Sequence, residues 1–245
     1  MALPFAILSF VSAVAALSAS IGADPQLHLT FSNLQSELIV TWHTVNLPMA
    51  APAIQHASTP SSPWSALIPA FSTTSFANDQ CPANSTRYSA SARLPLAPGE
   101  SAMYRVTSDG GATFSSPATA TNPLRAYPQR VALWGDLGVA CGGVLPPSPG
   151  FAGGPCSAAG QLAADAAAGA HDWSLHYGDS GYNMDDSCGV VGDTFMARTA
   201  PYTARLPHVV SPRRSCVFRL PATFSRQPPF FPGSIRTETM KAVVP

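Results

Sequence analysis

The chain has 245 residues, with 13 Lys and Arg against 13 Asp and Glu, and only 11% of its residues are charged. A formal net charge of +0 leaves no electrostatic footprint for nucleic acid or for an anionic membrane surface. The 46% apolar fraction can fill a core, the length admits one large domain or two modest ones, and 25 prolines point to many loops and little continuous helix.

Residues 3–17 form an apolar run without charge, followed by the small residues Ser18, Ala19, Ser20, Gly22 and Ala23. That pattern predicts a signal peptide over residues 1–23 and a secreted, extracellular protein. The competing reading is an N-terminal membrane anchor. The run is shorter than the roughly 20 residues a span needs, and Ser9, Ser12 and Ser18 dilute it. Asn84-Ser85-Thr86 is a glycosylation sequon, which suits a secretory route. The 5 cysteines form no CxxC pair, which argues against a zinc site.

Residues 24–120 read as all-β. Gln26-Leu27-His28-Leu29-Thr30-Phe31 alternates with the period of a strand, and residues 37–42 (ELIVTW) form a second, β-branched and aromatic one. Residues 87–94 alternate again, a turn follows at Pro98-Gly99, and residues 102–107 make a further strand. Asp109-Gly110-Gly111 is a hairpin signal. Short strands separated by turns predict a sandwich. Residues 48–82 carry no pattern that places their strands, and residues 117–124 read as a small-residue linker.

Beyond the linker the pattern becomes strand, helix, strand. Short apolar strands are predicted over residues 130–134, 172–177 and 207–210, with helices over 157–169 and 191–204 between them. A β-α-β-α-β series predicts a parallel sheet, with functional groups at the carboxyl ends of its strands. The loop over residues 139–155 reads as an insertion, and Cys141 and Cys156, which bracket it, are a candidate disulfide.

Two of these strands end alike: Trp134-Gly135-Asp136-Leu137-Gly138 and Tyr177-Gly178-Asp179-Ser180-Gly181-Tyr182. Gly before Asp lets the backbone turn sharply, and two carboxylates from neighbouring strand ends suit hard cations. Tyr182 could add a phenolate. A single Gly-Asp is most often an ordinary turn; the matched pair is what singles out Asp136 and Asp179.

These segments resemble the purple acid phosphatase family. Residues 130–138 (RVALWGDLG) match its GDxG motif, residues 172–196 (DWSLHYGDSGYNMDDSCGVVGDTFM) match GDxxY with its surroundings, and residues 206–212 (LPHVVSP) match the strand that follows. The N-terminal part resembles the fibronectin-like domain of the larger members. The resemblance implies an α+β two-domain protein, with an N-terminal all-β fibronectin III-like sandwich over 24–120 and a metallophosphoesterase domain over 126–212. It implies hydrolysis of phosphate monoesters at a dinuclear centre that pairs Fe(III) with Fe, Zn or Mn. Asp136 and Tyr182 would bind Fe(III), and Asp179 would bridge the two metals, whose held hydroxide attacks phosphorus.

The sequence then departs from the family pattern. Where the family continues with Pro-Gly-Asn-His-Glu or Asp, this chain has Ser211-Pro212-Arg213-Arg214-Ser215-Cys216. The asparagine ligand and the later VxxH and GHxH motifs are missing, and the 6 histidines present do not fall on ligand positions. The metallophosphoesterase domain is therefore expected to be incomplete, and this chain to be catalytically inactive. The tail over 213–245 matches nothing in the family and is expected to be disordered, the product of a frameshift, a retained intron or a wrong gene model. The alternative reading is a non-catalytic secreted β-sandwich acting as a binding module, or an aberrant gene product.

Overall fold

The computed structural model describes residues 25–77, 81, 85–124, 128–135, 137, 155–177, 181 and 184–211, the side chains of 155–157 excepted. Eight antiparallel strands come first. They are β1 (Gln26–Phe31), β2 (Glu37–Val45), β3 (Ala53–Ala57), β4 (Ile68–Pro69), β5 (Ser72–Phe76), β6 (Arg87–Pro95), β7 (Ser101–Thr107) and β8 (Ala118–Thr121). They form two four-stranded sheets, ordered β1-β2-β6-β5 and β4-β3-β7-β8.

Strict alternation makes these strands. In β2, Leu38, Val40 and Trp42 are fully buried while their neighbours are not. Directly opposite on β6 stand Leu94, Ala92 and Ala90, so the bulk of Trp42 meets the smallest partner. Ala102, Tyr104 and Val106 of β7 bring the second sheet into the same core. That shared core is what makes the two sheets a sandwich.

The unpatterned residues 48–82 contain β3, β4 and β5. The residues read as a linker, 117–124, contain β8 instead, which pairs with β7 and buries Ala120 completely. A four-residue Ala-Thr strand carries no bulky side chain to mark it; its pairing with β7 makes it a strand.

The remaining elements alternate: β9 (Val131–Trp134), α1 (Pro155–Ala167), β10 (Trp173–Tyr177), a 3₁₀ turn (Asp186–Gly189), α2 (Val190–Thr203) and β11 (His208–Ser211). The strands form a parallel sheet ordered β11-β10-β9, as the β-α-β-α-β pattern predicts. Trp134 joins two small clusters on one face of this sheet, one with Leu137, Ala159 and Phe195, the other with Ala166, Tyr202 and Leu206. On the other face Leu133 and Tyr177 are 70% and 73% exposed.

The two halves are joined tightly. Ala204, at the end of α2, packs into the sandwich core, and its carbonyl accepts from the buried Tyr104 hydroxyl at 2.8 Å. Thr203 Oγ1 donates to Leu27 O at 3.0 Å, and Thr121 N donates to Arg205 O at 3.1 Å. Arg87 of β6 forms a buried ion pair with Asp193 of α2, and Gln26 Nε2 donates to Asp193 O. A disulfide, Cys81–Cys188, crosses between the same two halves. Among the described residues no helix is long and apolar enough to cross a membrane.

Candidate metal-binding edge of the parallel sheet

The Gly-Asp motifs follow β9 and β10 directly. The two strands run parallel with Trp134 opposite His176, so their carboxyl ends open on one edge. Gly135 lies so close to β10 that a Cβ there would overlap the carbonyl oxygen of Tyr177. Past both strand ends, Gly181 N donates to Leu137 O at 3.0 Å, which ties the two loops together. The sequence therefore needs glycine at 135 for close approach, whatever the following aspartate does.

The candidate ligands Asp136, Asp179 and Tyr182 lie outside the described residues, as do Asn84 and Cys141; Cys156 falls in α1, but its side chain is among those not described. What is described is the frame around them: Gly135, Leu137, Tyr177, Gly181 and Met184. Gly192, in the first turn of α2, lies against the Met184 carbonyl and donates to it at 3.1 Å. Among the described residues no group of three or more His, Cys, Asp or Glu could hold a metal ion.

The histidines lie elsewhere. His176 and His208 are buried beside each other on β10 and β11, and His28 of β1 meets His208. His171 sits before β10, beside Asp172, Asp165 and Arg130. His43 lines a separate cleft of ≈ 370 Å³ on the sandwich, with Asp109 and Phe114. Asp109 is hydrogen-bonded by Thr113 and then Thr107, which hold its carboxyl well below the usual range. Among the described residues, none that follows β9 or β10 lines that cleft.

Sequence reasoning missed three things that build the frame. One is the Cys81–Cys188 disulfide. A second is the role of Asp193, which falls within the GDxxY surroundings without a role of its own; Arg87 donates to both of its carboxylate oxygens, at 2.7 and 3.3 Å. The third is the packing of His28 against His208.

No family model matches the chain. Among curated proteins it is 32% identical over 117 residues to acid phosphatase type 7 of Mus musculus, and 31% identical over 117 residues to acid phosphatase type 7 of Homo sapiens. Each match covers 48% of this chain and 24% of the relative, so the chain spans about a quarter of their length. A solved structure, purple acid phosphatase PPD1 isolated from yellow lupin (Lupinus luteus) seeds, shares the fold with a TM-score of 0.56 at 21% identity. That match covers 77% of this chain and 35% of the lupin protein.

The fold is thus a sheet-rich, two-part architecture: an antiparallel sandwich and a three-stranded parallel sheet. The curated relatives are acid phosphatases and the lupin protein shares the fold, both in line with the purple acid phosphatase family that the GDxG and GDxxY motifs resemble.

Proposed function

We propose that this chain carries the first part of an acid-phosphatase centre, built for phosphate monoesters, and that it does not complete that centre as written. Asp136 and Tyr182 would hold Fe(III), and Asp179 would bridge to a divalent Fe, Zn or Mn. When bound, such a metal pair supplies positive charge that offsets the negative charge building on the phosphoryl oxygens. The chain's own part is to hold two carboxylates on adjacent strand ends. The observation that carries this reading is the close approach of Gly135 to Tyr177 O together with the Gly181–Leu137 hydrogen bond. These contacts bring Gly135 and Leu137, on either side of Asp136, close to Tyr177 and Gly181, on either side of Asp179, which supports the reading.

The antiparallel part, over residues 24–120, is the fibronectin III-like domain of this reading, and residues 126–212 are the partial metallophosphoesterase domain. Secretion and glycosylation at Asn84 belong to the same proposal. A non-catalytic role is favoured by one specific feature: Arg213-Arg214-Ser215-Cys216 stands where the family has its asparagine and first histidine. An incomplete ligand shell holds and orients cations poorly.

The test is a phosphatase assay on the purified 245-residue chain. Fe, Zn or Mn is added and a chromogenic phosphate monoester is followed at acid pH. The expected result is no metal-dependent turnover above background. Turnover that disappears in Asp179→Asn would show that other ligands complete the site.

A further inference from the structure

The seam between sandwich and parallel sheet contains a histidine pair that is no part of the candidate ligand set. His28 of β1 and His208 of β11 meet edge to face, with ring centroids 5.2 Å apart at 70°. Trp134 stacks on His208 at 5.2 Å and 12°, and Tyr202 of α2 meets it at 5.8 Å. His208 is 5% exposed. Its Nδ1 lies 2.9 Å from Ser174 Oγ, while His28 Nδ1 is buried without a hydrogen-bond partner among the described residues.

Among the described residues, the titratable groups around the pair are imidazoles and a phenol, and the nearest carboxylate is already paired. His176 of β10 lies 6.1 Å from His208, and His43 of β2 lies near His28. Tyr202 faces from α2, where burial pushes its phenol above the ordinary range. Asp193, further along α2, is already engaged by Arg87. A proton arriving on either ring would therefore place a cation among aromatic rings and other imidazoles.

We propose that this seam is an acid-operated release: protons bind His28 and His208 only when the parallel sheet parts from the sandwich, so acid favours the parted state while the sandwich itself stays folded. The Cys81–Cys188 disulfide keeps the halves tethered, so the opening is reversible.

The direction follows from linkage. Burial lowers His28 from 6.5 to about 4, partly offset by its hydrogen bond to the His208 backbone; burial, then the neighbouring His28 and His176, lower His208 to about 3. A group depressed in the closed state binds more protons once open, so closure weakens as pH falls below about 6.5 and continues weakening toward those lower values. Between about pH 7.5 and 4.5 the opening equilibrium rises by on the order of fifty- to a hundredfold per histidine if the ring is fully solvated when open.

The Thr121 amide reports the seam directly, because its acceptor, Arg205 O, lies across it. The experiment is native-state hydrogen exchange on the oxidised full chain from about pH 7.5 to 4.5, corrected for intrinsic exchange rates. Opening constants at Thr121 are expected to rise at least about tenfold, given that linkage, while the paired Val40 and Ala92 amides inside the sandwich change far less. The double variant His28→Gln, His208→Gln is expected to lose most of the Thr121 response. Should that variant fail to fold, the wild-type comparison decides alone. An unchanged Thr121 amide, an equal acid response at Thr121 and Val40, or a folded double variant with the wild-type pH profile would each overturn the proposal.

Discussion

The Arg87 guanidinium and the Asp193 carboxylate form a two-point pair, Nη2 to Oδ2 at 2.7 Å and Nε to Oδ1 at 3.3 Å, with side chains 9% and 11% exposed. The pair joins a sandwich strand to the helix that follows the candidate metal loop. Gly189 makes room for it: the residue has φ +85, and a Cβ there would lie 2.7 Å from Arg87 Cζ. Arg87 Nη1 is also used, donating to Ser85 O at 2.5 Å.

Removing one member of this pair leaves a buried charge without its partner. Arg87→Ala or Asp193→Ala should each cost about 3–5 kcal/mol in denaturant unfolding. Arg87→Met with Asp193→Leu should cost clearly less than either single change, because both charges leave together. A double variant as damaged as the sum of the singles would show that packing, not charge, carries the contact.

Cys81 and Cys188 are 107 residues apart in sequence, and their Cα atoms lie 5.7 Å apart. A cross-link that closes so long a loop restricts the unfolded chain strongly. Reduction, or Cys81→Ser with Cys188→Ser, should lower stability by about 2–5 kcal/mol. Comparing midpoints with and without reductant checks this. Equal midpoints would mean that the link adds nothing beyond the ion pair and the Tyr104–Ala204 bond.

Gly135→Ala should push β9 away from β10, because the added methyl overlaps the Tyr177 carbonyl oxygen. The loss should be about 1–3 kcal/mol, typical of overpacking. Hydrogen exchange should localise it to residues 131–134 and 173–177, with β2 and β6 unaffected. Gly160→Ala, where nothing lies within 4 Å of the added carbon, is the matched control and should be neutral or slightly stabilising.

The parts of the fold that were legible owe it to period. β2 alternates bulky apolar residues with others, β6 alternates Ala and Leu with Ser and Arg, and the apolar runs of β9 and β10 each end at glycine, so these strands show in the sequence. β5 is Ser72-Thr73-Thr74-Ser75-Phe76, exposed throughout, and only its pairing with β6 makes it a strand. β8 was hidden for the same reason. The strand-Gly-Asp repeat singled out Asp136 and Asp179, and the structure adds why Gly135 must be glycine. The disulfide and the His28–His208 contact were not legible, because each joins residues whose meeting depends on docking two separately patterned halves.

Fe(III) titration of the intact chain, read as visible absorption, tests the half-centre most directly. A ferric band that Tyr182→Phe abolishes is expected, with binding weakened at least about tenfold in Asp136→Asn, the scale typical for loss of a metal-supporting group. No Fe(III) binding, or a band that survives in Tyr182→Phe, would contradict the placement of these residues on one metal-binding edge.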